Sequence, residues 1–116
     1  RFVIENTIYK SKITSQSKSM YPAISLKSTL LYTKEFNKNN ICVGDIIRFN
    51  ATNACSGVML NIVKEMGVDI TSHRIINIKH DLQGVYYLTK GDNNFFKDDC
   101  KVRSDDIEAV AVGVIY

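Results

Sequence analysis

Short runs of β-branched and aromatic residues, separated by turn signals, are the feature that most constrains the fold of this chain. Val, Ile, Thr, Tyr and Phe suit a pleated, half-buried surface, and a chain that supplies them in runs of five or six predicts strands. Five runs stand out: residues 28–33 (Ser-Thr-Leu-Leu-Tyr-Thr), 45–50 (Asp-Ile-Ile-Arg-Phe-Asn, entered through a Val-Gly-Asp turn), 73–79, 85–89 (Val-Tyr-Tyr-Leu-Thr, after a turn at 81–84) and an alternating tail at 107–116. One segment departs from this pattern. Val58, Met59, Ile62, Val63 and Met66 recur at spacings of three and four, which predicts an amphipathic helix over 56–66 with Gly67 as its stop. A polar loop is expected at 34–40. The expected architecture is mainly β, a small barrel or sandwich with one inserted helix.

A chain of 116 residues, 45% apolar and 23% charged, is one ordinary domain with enough apolar surface for a single core. Its net charge of +3 is dispersed, with no basic stripe interleaved with aromatics, which argues against nucleic acid as a partner. No stretch approaches the ~20 apolar residues that a spanning helix needs. Cys42, Cys55 and Cys100 include no C-x-x-C pair, and only two His are present, so a zinc site has little support. The three are either all thiols or one disulfide and one thiol.

Three blocks can carry chemistry. In Ser17-Lys18-Ser19-Met20-Tyr21-Pro22, two hydroxyls lie two residues apart. In an extended backbone they share a face while Lys18 points away, which places a nucleophile beside a second donor. Ser72-His73-Arg74 opens a β-rich run and offers an imidazole as general base; the other histidine, His80, lies beside Asp81 in an apparent turn, where exposure is expected. Thr89-Lys90-Gly91-Asp92-Asn93-Asn94, followed by Asp98 and Asp99, offers carboxylates that could orient an imidazole. Taken singly, each block also fits a bland role: a serine-rich loop, a strand histidine, an Asx turn.

In combination and order, S-x-S-M-x-P, G-D-I-I-x-F, S-H-R-I-I and T-K-G-D-N-N resemble the type I signal peptidases. The likeness is to the archaeal and endoplasmic-reticulum branch, which also includes some bacterial sporulation enzymes and uses His where the usual bacterial enzymes use Lys. The blocks span most of residues 1–116. The resemblance implies a signal-peptidase-like β domain on the extracytoplasmic or lumenal side of the cell membrane or endoplasmic-reticulum membrane, held by an N-terminal anchor outside this chain. It implies a serine endopeptidase that removes signal peptides from secretory preproteins after small residues (Ala-x-Ala), with no metal or organic cofactor and with further complex subunits as conceivable partners. By position, Ser19 matches the nucleophile and His73 the general base. Ser17 and the Ser19 amide match the oxyanion donors, and Asp98 and Asp92 the two acidic positions, with Asp98 favoured as the triad acid. Met20 is expected in a substrate pocket or in the core.

Two features depart from the family pattern. Lys18 stands where Gly is usual, and the stretch between Phe49 and His73 is long and contains the expected helix, as a lid, a membrane-contacting element or decoration. Two other functions compete with the peptidase reading. A self-cleaving Ser/Lys regulator of related fold would need Lys at the position of His73. A non-catalytic module or secretion-complex subunit would not need Ser, His and Asp together.

Overall fold

A computed structural model describes residues 8–12, 19–24 and 28–115. Its six strands are β1 (Ile8–Lys12), β2 (Thr29–Thr33), β3 (Ile46–Asn50), β4 (Ile70–Asp81), β5 (Gly84–Lys90) and β6 (Ile107–Ile115). Two helices, α1 (Ala51–Ala54) and α2 (Gly57–Met66), connect β3 to β4. The strands form one sheet in the order β1-β2-β6-β3-β4-β5, and every neighbouring pair is antiparallel.

The mainly β architecture agrees with the sequence patterning, but the expected closure into a barrel or division into a sandwich is corrected. β1 and β5 stand at opposite edges of a single open sheet. The outer side of β5 is taken instead by a short bridge between Tyr87 and Val102, a segment that leads back toward β6. That segment occupies the edge that a closing strand would need.

Alternation along the strands sets the core. Ile47 and Phe49 on β3, Ile75 on β4, Tyr87 on β5 and Val110 on β6 join Val102 and Val63 in one apolar cluster. Leu30 and Tyr32 on β2 join Met20, Ile24 and Ala109 in a second. Ala109 and Val110 are adjacent on β6 and belong to different clusters, as neighbours on a strand must when both faces are covered. Phe49, Ile47, Leu30 and Ile75 are fully buried, each contributing roughly 1.5–3 kcal/mol of burial free energy.

The helix expected at 56–66 is α2, with Ser56 as its N-cap residue and Gly67 in the left-handed conformation (φ 68°) ending it. Only Val63 of its apolar residues is buried, whereas Val58, Ile62 and Met66 are 72%, 45% and 57% exposed. The apolar stripe of α2 is therefore wider than the core beneath it. β1 and the four-residue α1 were not expected. α1 is too short to show a helical period, and it forms because the Asn50 side chain accepts from the Asn53 amide. Cys55 and Cys100 form a disulfide, and Cys42 is a free, exposed thiol. The turn at 81–84 is a two-residue hairpin loop, with Asp81 paired to Gly84 (φ 116°). No helix among the described residues is long and apolar enough to cross a membrane.

Candidate active site

Three segments meet at one end of the β4–β5 hairpin: the turn at 19–24, the first residues of β4, and the chain that follows β5. On β4, alternation buries His73 and Ile75 and leaves Arg74 between them partly exposed. His73 lies directly across from Ile47, which is fully buried, so its ring is held against the core. On β5 the same alternation buries Tyr87 and Thr89.

The chain then turns back so that the Asp98 amide donates to the Thr89 carbonyl at 2.8 Å. This return places the Asp98 carboxylate, 6% exposed, inside the site. Its Oδ2 accepts from the Thr89 hydroxyl at 2.8 Å and lies 2.5 Å from His73 Nδ1. Because a carboxylate can only accept, the imidazole proton sits on Nδ1 and Nε2 is left as an acceptor. Nε2 lies 3.1 Å from Ser19 Oγ. Ser19, His73 and Asp98 thus form a continuous hydrogen-bonded path.

The backbone at Ser19 is clamped by the Gly-Asp-Asn-Asn turn. The Asn93 amide donates to the Ser19 carbonyl at 2.7 Å. A Cβ at position 91 would come within 2.6 Å of that same carbonyl oxygen, so Gly91 is what permits the approach. Ser19 itself lies in a turn, with the Ile24 amide donating to the Met20 carbonyl at 2.9 Å, and the Tyr21–Pro22 peptide is cis.

The two acidic candidates have separate partners. Asp92 forms twin bonds with Arg74, at 2.9 Å to Nε and 2.8 Å to NH2, and it does not contact the imidazole. Hydrogen bonding to Asp92 raises the Arg74 guanidinium above its ordinary pKa, against a smaller opposing effect of burial. Arg74 also donates to the Gly44 carbonyl, which ties the turn at 91–94 to the loop before β3. Met20 is 6% exposed, packs in the second apolar cluster, and accepts from the Asp92 amide through its sulfur. It also lines the cavity beside Ser19. Ser17 and Lys18 lie outside the described residues. His80 is exposed, away from the site.

Sequence reasoning gave Thr89 no role, and the structure places it beside Asp98. Its signal was its place in β5, two residues after the buried Tyr87 and on the same face. The sequence also did not reveal that, among the described residues, the first length of β4 has a strand partner on one side only. The Ala51 amide donates to the Asp69 carbonyl and the Ile75 amide to the Asp45 carbonyl, so the odd-numbered residues from 69 to 75 turn their backbone groups toward β3. Ile70 and Ser72 then face the other side, where β5 has already ended with Lys90 opposite Arg74. An extended peptide could pair there, directly beside His73. Among the described residues, no three His, Cys, Asp or Glu side chains are grouped to hold a metal ion.

Comparisons with models of known protein families, with curated proteins and with solved structures return no match.

Proposed function

We propose that this chain is a serine endopeptidase of the signal peptidase type, which removes signal peptides by cleaving after a small residue. The observation that carries this reading is the path Ser19 Oγ–His73 Nε2, His73 Nδ1–Asp98 Oδ2, at 3.1 and 2.5 Å. A serine hydroxyl is a weak nucleophile until a neighbouring base takes its proton, and the base is competent only in the correct tautomer. The bonds at Nδ1 and Nε2 support both conditions.

In the first step Ser19 Oγ forms a bond to the scissile carbonyl carbon while its proton passes to His73 Nε2. The Asp98 carboxylate offsets the charge of the imidazolium. The carbon–nitrogen bond then breaks as His73 returns the proton to the leaving amine, leaving an acyl group on Ser19. A water molecule activated by His73 releases the acid and restores the serine. The Ser19 amide and the Ser17 hydroxyl are assigned to the oxyanion, both through the family resemblance alone. The substrate is held extended against Ile70 and Ser72. Membrane anchorage and a place on the extracytoplasmic or lumenal side belong to the same reading. They rest on the resemblance of the four sequence blocks.

The test is cleavage of peptides carrying Ala-x-Ala before the scissile bond, in detergent micelles. The wild-type chain should cleave after the second Ala, and Ser19→Ala should lose nearly all of that activity. Full activity in Ser19→Ala would remove Ser19 from the mechanism.

A further inference from the structure

A cavity of about 470 Å³ opens beside Ser19 and His73. One wall is α2, through Met59, Ile62, Val63 and Met66; Ile70 of β4 and Ile24 of the turn at 19–24 close it from the other sides. Among the described residues that line it there is no Asp, Glu, Lys or Arg. Its volume falls within the ~300–1,000 Å³ typical of sites that enclose drug-sized ligands. A single methyl group would leave most of it to water against apolar walls, and forfeit the contacts those walls can make.

The position of α2 is fixed. The Ser56 amide donates to the Asp99 carbonyl and the Lys101 amide to the Ala54 carbonyl, both at 2.9 Å. The Cys55–Cys100 disulfide lies between those two bonds. The Thr52 hydroxyl donates to Asp69 at the far end of the connection. The start of α2 is therefore tied to the segment that carries Asp98, so wall and site are held in one frame. The exposure of Ile62 and Met66, left over from core packing, is accounted for once these residues line a substrate subsite.

We propose that α2 is a specificity element. Its Met59, Ile62 and Met66 build a subsite for a large apolar side chain of the substrate (Leu, Met or Phe), at a position other than the small residue that precedes the scissile bond. Thioether side chains adapt to different shapes, so the subsite selects for size and apolarity rather than for one residue. This inference rests on the peptidase reading and names the substrate feature that the same site prefers.

The experiment keeps Ala immediately before the scissile bond and replaces each of its other neighbours in turn by Leu, Met or Phe, in a fluorogenic peptide. The expected result is one position at which a large apolar residue raises kcat/KM roughly tenfold or more over Ala. Ile62→Glu places a charge on the exposed face of α2, where it should not disturb folding, and should bring that ratio close to one. If Ala equals or exceeds the large residues at every position while Ser19-dependent cleavage persists, the subsite is overturned and the peptidase reading stands. A large-residue preference that Ile62→Glu leaves intact overturns the role of α2. If no peptide is cleaved in a Ser19-dependent manner, the peptidase reading fails and takes the subsite with it.

Discussion

Asp98 and Asp81 lie near opposite ends of the β4–β5 hairpin, and the partners gathered around them differ in kind. Asp98 is buried and is met by a hydroxyl and an imidazole. Asp81, at the tip, is partly exposed and is met by the Arg103 guanidinium at 2.9 and 2.7 Å, with Lys101 at 3.4 Å. An arginine keeps its charge throughout the working pH range, so the ion pair at the tip is a fixed strut. An imidazole has two ring nitrogens, here set between a carboxylate and a hydroxyl, so the pair at the other end can take part in proton transfer. One segment supplies both ends: residues 98–103 run beside β5, give Asp98 at one end and Arg103 at the other, and are held midway by the Cys55–Cys100 disulfide and the Tyr87–Val102 bridge.

The largest effect should come from changing the acid at the site end. Asp98→Asn keeps the size of the side chain but removes its negative charge and introduces an NH2 that can donate to Nδ1 and favour the wrong His73 tautomer, and a loss on the order of 10⁴-fold in kcat is expected. The loss in Asp92→Asn should be far smaller, because Asp92 bonds to Arg74 rather than to His73. Steady-state rates on an Ala-x-Ala peptide decide the matter. Comparable losses in the two variants would erase the distinction between them.

Severing the segment that joins the two ends should come next. The disulfide spans a sequence separation of 45, and the loop-entropy relation gives about 4 kcal/mol for a cross-link of that length. Replacing Cys55 and Cys100 together by Ser should lower the urea midpoint accordingly. Rates should fall as well, since Asp98 lies two residues from Cys100. A drop in stability with unchanged kcat would show that Asp98 is placed by Thr89 alone.

Much of this arrangement could be read from the sequence, and the exceptions have physical causes. The five strand runs and the helix at 56–66 were legible because local periodicity reports which side of an element is buried. Ser19, His73 and Asp98 could be nominated only through the order of four blocks, since spacing along a chain does not give distance in space. The choice between Asp98 and Asp92 depended on how the chain returns after β5, a non-local event set by the Asp98 amide bonding to Thr89. Closure of the sheet was misjudged for a related reason. Pattern shows that strands exist, but the partner of an edge is decided elsewhere, here by Val102 bridging to Tyr87. The pairing of Cys55 with Cys100 was equally beyond spacing alone.

Thr89→Val tests whether a neutral donor matters at the site end. The variant is close in shape but leaves Asp98 Oδ2 without one of its two side-chain donors, which costs roughly 1–3 kcal/mol for a buried acceptor. The loss in kcat should exceed the change in KM, because Thr89 is a positioning residue that acts through Asp98. A rise in KM alone would point to a disturbed substrate groove.

The smallest effect belongs to the tip. Hydrogen bonding from Arg103, chiefly, holds the Asp81 carboxyl well below the usual carboxylate range, and Asp81 in turn raises the Arg103 guanidinium. A carboxyl whose folded-state pKa is depressed stabilises the fold above its unfolded pKa, and that contribution fades as pH falls toward the folded value. Asp81→Asn should therefore lower Tm slightly at pH 7, and the gap from wild type should narrow below about pH 4, where the unfolded carboxyl takes up its proton. Added salt should narrow it as well, since the pair is partly exposed. Peptide cleavage by this variant should match wild type at neutral pH. A rate loss approaching that of Asp98→Asn would mean that strain at the tip passes along residues 98–103 to the imidazole, and that the two ends form a single unit.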